Sequence, residues 1–159
     1  MKLTQFAAII ENYTPDGFTF WAGHARGNYN MTKDVSDTLL LVLPNPYPSM
    51  YRDECWHQVE FELWLGKLIE IKRTTEGTQE HRPYSSFETR QEVYDIADSM
   101  LYEMKQDDKL QLVTVNPMVF HDSPDGESVN RQVWLQIPVT AKIWMTNDEF
   151  DYTFNFDLQ

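Results

Sequence analysis

The chain predicts an α+β fold: a largely antiparallel β-sheet packed against a central amphipathic helix and a short N-terminal helix, with a C-terminal extended arm or strand. Three observations predict it. Within Cys55–Ile71, apolar residues hold every second position from Val59 to Leu65, and within Arg131–Met145 they do so from Val133 to Met145, the period of a strand with one buried face. Residues 85–107 keep helical spacing for three turns through Val93, Ile96, Ala97, Met100, Leu101 and Met104. Hairpin-type turn sequences then join strands on both sides of that helix, the order of an α+β layer structure.

The elements follow in turn. Leu3, Phe6, Ala7 and Ile10 fall on one face of a short first helix, which the Pro15-Asp16-Gly17 turn ends. Phe18–Trp21 is a short strand, and residues 23–30 form a Gly- and Asn-rich loop. Thr38–Leu43 is a compact buried strand stopped by Pro44, Pro46 and Pro48. In Cys55–Ile71, Val59, Phe61, Leu63 and Leu65 alternate with Gln58, Glu60, Glu62 and Trp64, and Gly66 marks a bulge or bend. Lys72–Pro83 reads as a polar, flexible loop. Ser85 and Glu88 fit a capping box at the start of the long helix, whose outer face carries Glu88, Glu92, Asp95, Ser99 and Glu103. Leu110–Phe120 is a strand with Pro117 near its end, and Ser123-Pro124-Asp125-Gly126 turns the chain into the second long strand. Pro117 and Pro138 both argue for an edge position or a bulge. Residues 1–146 read as one domain. Residues 147–159 read as an arm, because Phe150, Tyr152, Phe154, Phe156 and Leu158 alternate with polar residues and such a stripe needs cover. Each ring so covered contributes about 1.5–3 kcal/mol.

The 159 residues suffice for one core. The formal charge of −12 is uneven: residues 1–74 hold seven basic and nine acidic side chains, residues 75–159 six and sixteen. This balance opposes binding of nucleic acid by phosphate neutralisation, although an acidic surface lets a polyanion slide past without sticking. The single cysteine, Cys55, points to a reducing compartment. No apolar run reaches the length of a membrane span and no secretory signal is evident, so synthesis in a cytoplasm is expected.

Little in the chain suggests reaction chemistry. His24, His57, His81 and His121 lie apart without metal-ligand spacing. Cys55 and His57 share a strand face, but no third group is evident and the carboxylates of Asp53 and Glu54 beside Cys55 oppose a thiolate, so Cys55 reads as a core residue. Glu60 and Glu62 lie about 7 Å apart on one strand face, more in keeping with a solvated surface than with a glycosidase pair. Neither an enzyme, a metal nor a cofactor is therefore expected. The tryptophans are more informative. Trp56, Trp64, Trp134 and Trp144 all fall opposite the aliphatic rows of the two long strands, among Gln, Glu, Thr and Lys. Such a mixed face is covered either by another subunit or by the first helix or the aromatic arm of the same chain.

This succession of an N-terminal helix, strands ending in Cys55–Ile71, the 85–107 helix and two closing strands resembles bacteriophage tail-terminator and head-tail connector (neck) ring proteins over Lys2–Met145. The resemblance rests on element order, size and acidity. It implies a structural virion protein whose copies form a homo-oligomeric ring in the neck or tail. Such a ring joins portal-side proteins to tail components and lets DNA pass through its lumen. On that reading Phe150, Tyr152, Phe154, Phe156, Leu158 and the four tryptophans meet neighbouring subunits, while Asp122, Asp125 and Glu127 line the lumen or touch an adjacent ring. The alternative is a small intracellular ligand-binding or protein-interaction module without catalysis.

Overall fold

A computed structural model describes residues 3–23, 37–43, 49–53, 55–68, 72–73, 79–80, 85–121 and 132–144. In chain order the elements are α1 (Leu3–Glu11), β1 (Thr19–Gly23), β2 (Thr38–Val42), β3 (Ser49–Asp53), β4 (Trp56–Leu68), β5 (Lys72–Arg73), β6 (Gln79–Glu80), α2 (Ser85–Gln106), β7 (Leu110–Val115), β8 (Val119–His121) and β9 (Gln132–Trp144). Seven strands form one sheet in the order β1-β2-β4-β9-β7, with β3 also beside β4 and β8 also beside β9. Among the described residues only β1 and β2 run parallel; the remaining pairs are antiparallel. The α+β expectation holds.

The sheet is built on β4 and β9, which pair without interruption from Trp56 opposite Trp144 to Leu68 opposite Gln132. Their alternation fixes this register, because a one-residue slip would turn every aliphatic side chain to the wrong face. Val59, Phe61, Leu63 and Leu65 of β4 lie on one face with Val133, Leu135, Ile137, Val139, Ala141 and Ile143 of β9, and all are buried. Onto this face α2 lays Val93, Ala97, Met100, Leu101 and Met104, and α1 adds Phe6 and Ile10. The Phe6 and Phe61 rings meet edge to face with centroids 5.2 Å apart. Both helices therefore cover the aliphatic face. Glu88 in the first turn of α2 and Lys105 in its last complement the helix dipole.

Several local expectations change. Gly66 makes no bulge, since the β4–β9 register runs straight through it. Its role is steric: a Cβ there would lie 2.6 Å from the Trp134 ring. Pro138 sits in a central strand, not at an edge. Its carbonyl accepts from the Asn116 N–H, so its missing donor faces the break between β7 and β8, where no ladder bond is lost. The stretch read as one strand at Leu110–Phe120 is two short strands, with a register shift between Leu112 and Thr114. Part of the loop expected at Lys72–Pro83 is a two-stranded pairing of β5 with β6. Cys55 lies half-buried before β4 and is not a core residue. The long helix starts at Ser85 as expected, but the side chain that would cap it lies outside the described residues.

Candidate functional site

The face of the sheet away from the helices carries the tryptophans. Strand pairing sets Trp56 opposite Trp144, and Trp64 and Trp134 lie on the same side one step apart, beside Gln136 and Gly66. β2 adds Leu40, opposite Trp64, and Val42, opposite Glu62. β1 adds Trp21, which pairs with Leu40. All five tryptophans of the chain thus share one face. Trp21 was not among the residues picked out from the sequence. The parallel β1–β2 register that aligns it has no local signature, because β1 and β2 are separated by residues 24–37.

The centre of this face is organised. Trp64 and Trp134 have no exposed surface and form a second apolar cluster with Leu40 and Val42. The Trp64 indole Nε1–H donates to Glu62 Oε2 at 2.8 Å, satisfying a donor that burial would otherwise strand. The His121 ring from β8 lies over Trp64 with centroids 5.0 Å apart, and its Nε2 is 2.9 Å from Gln136 Oε1. A residue carrying a Cβ at position 66 would displace the Trp134 ring from this arrangement.

The four tryptophans expected at a subunit contact therefore divide. Trp64 and Trp134 are buried within a single chain and offer no surface to a neighbour, which corrects that expectation for those two. Trp56 and Trp144 remain partly exposed, and the Lys109 ammonium sits 5.3 Å from the Trp144 ring centroid. Trp21 is 38% exposed. The first helix is not the cover of this face, since it packs on the opposite one. Phe150, Tyr152, Phe154, Phe156 and Leu158 lie outside the described residues, as do Asp122, Asp125 and Glu127.

A second surface lies on α2. Its outward residues Glu88, Glu92, Asp95, Ser99 and Glu103 are exposed, as the spacing predicts. Beside it, a cleft of about 500 Å³ runs between the Tyr13–Phe18 segment and the helix. Asp16, Glu92, Asp95 and Glu103 stand at this cleft, with Phe18, Ile96 and Met100 as its apolar part. At one end the Tyr13 hydroxyl donates to the Asp107 carboxylate, tying the segment after α1 to the end of α2. Burial, followed by that bond and the negative charges of Asp107 and Glu103, pushes the Tyr13 hydroxyl well above its ordinary 10.0. The phenol stays protonated and keeps donating.

Among the described residues no group of three or more His, Cys, Asp or Glu could hold a metal ion. His57 is buried on the helix-covered face, and burial pushes its imidazole below the ordinary 6.5. No helix among the described residues is long and apolar enough to cross a membrane. No protein-family model matches this chain, and no curated protein matches its sequence.

Proposed function

We propose that this protein works by assembly: a structural virion protein of a tailed bacteriophage whose copies close a ring in the neck, join the head connector to the tail and let DNA pass. The observation that carries the reading is the Phe150–Leu158 stripe, an alternating aromatic segment suited to pairing with a strand edge. The sheet supports it. Among the described residues β1 stands at one edge of the sheet, beyond β2, and β7 at the other, with β3 and β8 as further edge strands, and β1 and β7 differ in direction, length and side chains. A contact that carries the sheet from the β1 edge of one copy to the β7 edge of the next is head-to-tail, and head-to-tail contacts close into rings where the rotation permits. The net charge of −12 suits a lumen that must not retain DNA.

Size-exclusion chromatography with light scattering tests this on the full chain and on a variant carrying Phe154→Asp and Phe156→Asp. The full chain is expected as a discrete multiple of 18.8 kDa, and the variant as a folded monomer. An oligomer that survives both substitutions counts against the stripe as its contact. The cleft beside α2 favours a second reading, a monomeric binding module. That reading requires a monomer even after the neighbouring ring proteins are added.

A further inference from the structure

Helix α2 buries one side, yet its solvent side is not an ordinary polar surface. Tyr94 is 47% exposed and Tyr102 65%, and Phe87, on the same side, is 62% exposed. At 3.6 residues per turn these three rings fall within about 80° of arc and span about 22 Å of the helix axis. Carboxylates alternate with them: Glu88, Glu92, Asp95, Asp98 and Glu103 are all exposed. The helix offers little positive charge in return. Arg90 is turned over the Phe120 ring, 5.4 Å from its centroid, which leaves Lys105 as the exposed cation of α2.

Aromatic rings set among carboxylates complement one kind of side chain particularly well. A guanidinium stacks on the ring face, forks onto a carboxylate, and lays an aliphatic stem along the apolar part. The cleft beside the same helix extends that complementarity, with Ile96 and Met100 lining it together with Asp95 and Glu103. A long basic side chain fits such a site with its stem against the apolar part and its charge at the rim. Charge decides among occupants. Two copies meeting through this face would set five carboxylates against five, and a polyanion would be repelled outright. We infer that the outer face of α2 docks an arginine-bearing amphipathic segment of a different protein. The inference does not require ring formation, because the face belongs to a single chain.

The test is fluorescence anisotropy of the full chain with three labelled helical peptides of about 18 residues, matched to the length of the stripe. One alternates arginine and leucine faces, the second replaces each arginine with lysine, and the third replaces each arginine with glutamate. The arginine peptide is expected to bind, the lysine peptide more weakly and the glutamate peptide not at all. Tyr94→Ser with Tyr102→Ser keeps every charge and leaves the buried side of α2 intact, so it should fold, which circular dichroism checks. That pair should weaken arginine-peptide binding about tenfold, while Val119→Ser on β8 leaves it unchanged. Undiminished binding by the folded tyrosine variant would overturn the inference by showing non-specific charge attraction. Equal binding of the glutamate peptide would overturn it as well. So would self-association of the chain that Tyr102→Ser abolishes, since the occupant would then be a second copy. Oligomeric mass, measured separately, reports on ring formation and does not bear on these outcomes.

Discussion

Gly66 and Trp134 show how one residue sets the character of a whole sheet face. The glycine is required because its neighbour across the strands is an indole with nowhere else to go. Gly66→Ala is expected to destabilise the fold by about 1–3 kcal/mol, the usual cost of overpacking, read as a lower denaturant midpoint. A change under about 0.5 kcal/mol would mean that the ring can move. Tyr13 gives a second prediction at this scale. Tyr13→Phe removes one partly buried hydrogen bond and should cost about 0.5–1.5 kcal/mol. Because the folded chain holds this proton more tightly than the unfolded one, its contribution is complete below pH 10.0 and declines as pH rises beyond it. The variant should therefore lose stability less steeply than the parent in that alkaline window. His57 works in the opposite direction. Its imidazole is depressed by burial, so its contribution is present above 6.5 and is lost as pH falls from there toward the lower folded value. Equilibrium unfolding of His57→Gln across that acid range should show a shallower pH slope, and an unchanged slope would remove His57 as its source.

At the scale of elements, legibility in the sequence followed chain locality. The two long strands and α2 were readable because each carries its own period over many residues, and the aliphatic row of each is buried. Gly66 and Pro138 were read as signs of irregularity, since glycine and proline weaken strands in general. Their actual reasons lie in neighbours distant in sequence: the Trp134 ring for one, the gap between β7 and β8 for the other. The packing of β2 depends on a similar non-local device. Asp37 Oδ1 accepts from the Leu68 N–H at 3.0 Å, Asp37 Oδ2 meets Lys67 Nζ at 3.0 Å, and its carbonyl accepts from the Thr19 N–H at 2.9 Å. One aspartate thus links the starts of β1 and β2 to the end of β4. Asp37→Ala should cost about 1–3 kcal/mol, because it leaves a backbone donor unsatisfied. Lys67→Met should cost under about 1 kcal/mol, because the ion pair is partly solvated. Equal losses in thermal unfolding would show that the pair, not the backbone bond, holds the strands.

For the whole molecule, the sequence revealed a two-sided sheet but not how its second face is divided. Period two placed four tryptophans on that face correctly. It could not separate Trp64 and Trp134, sealed within the chain, from Trp56 and Trp144, which keep some exposure, because burial depends on neighbouring strands. Trp21 reaches the same face only through the non-local β1–β2 pairing. The aromatic stripe of α2 was hidden differently: Phe87, Tyr94 and Tyr102 fall outside the aliphatic period that defines the helix, and their exposure emerged only once its buried side was fixed. Both outer surfaces belong to an account in which the protein acts by joining other molecules. Electron microscopy of the purified full-length chain tests that account most directly. It predicts uniform rings with a central opening, and a field of single particles at every concentration, unchanged by adjoining neck proteins, would contradict it.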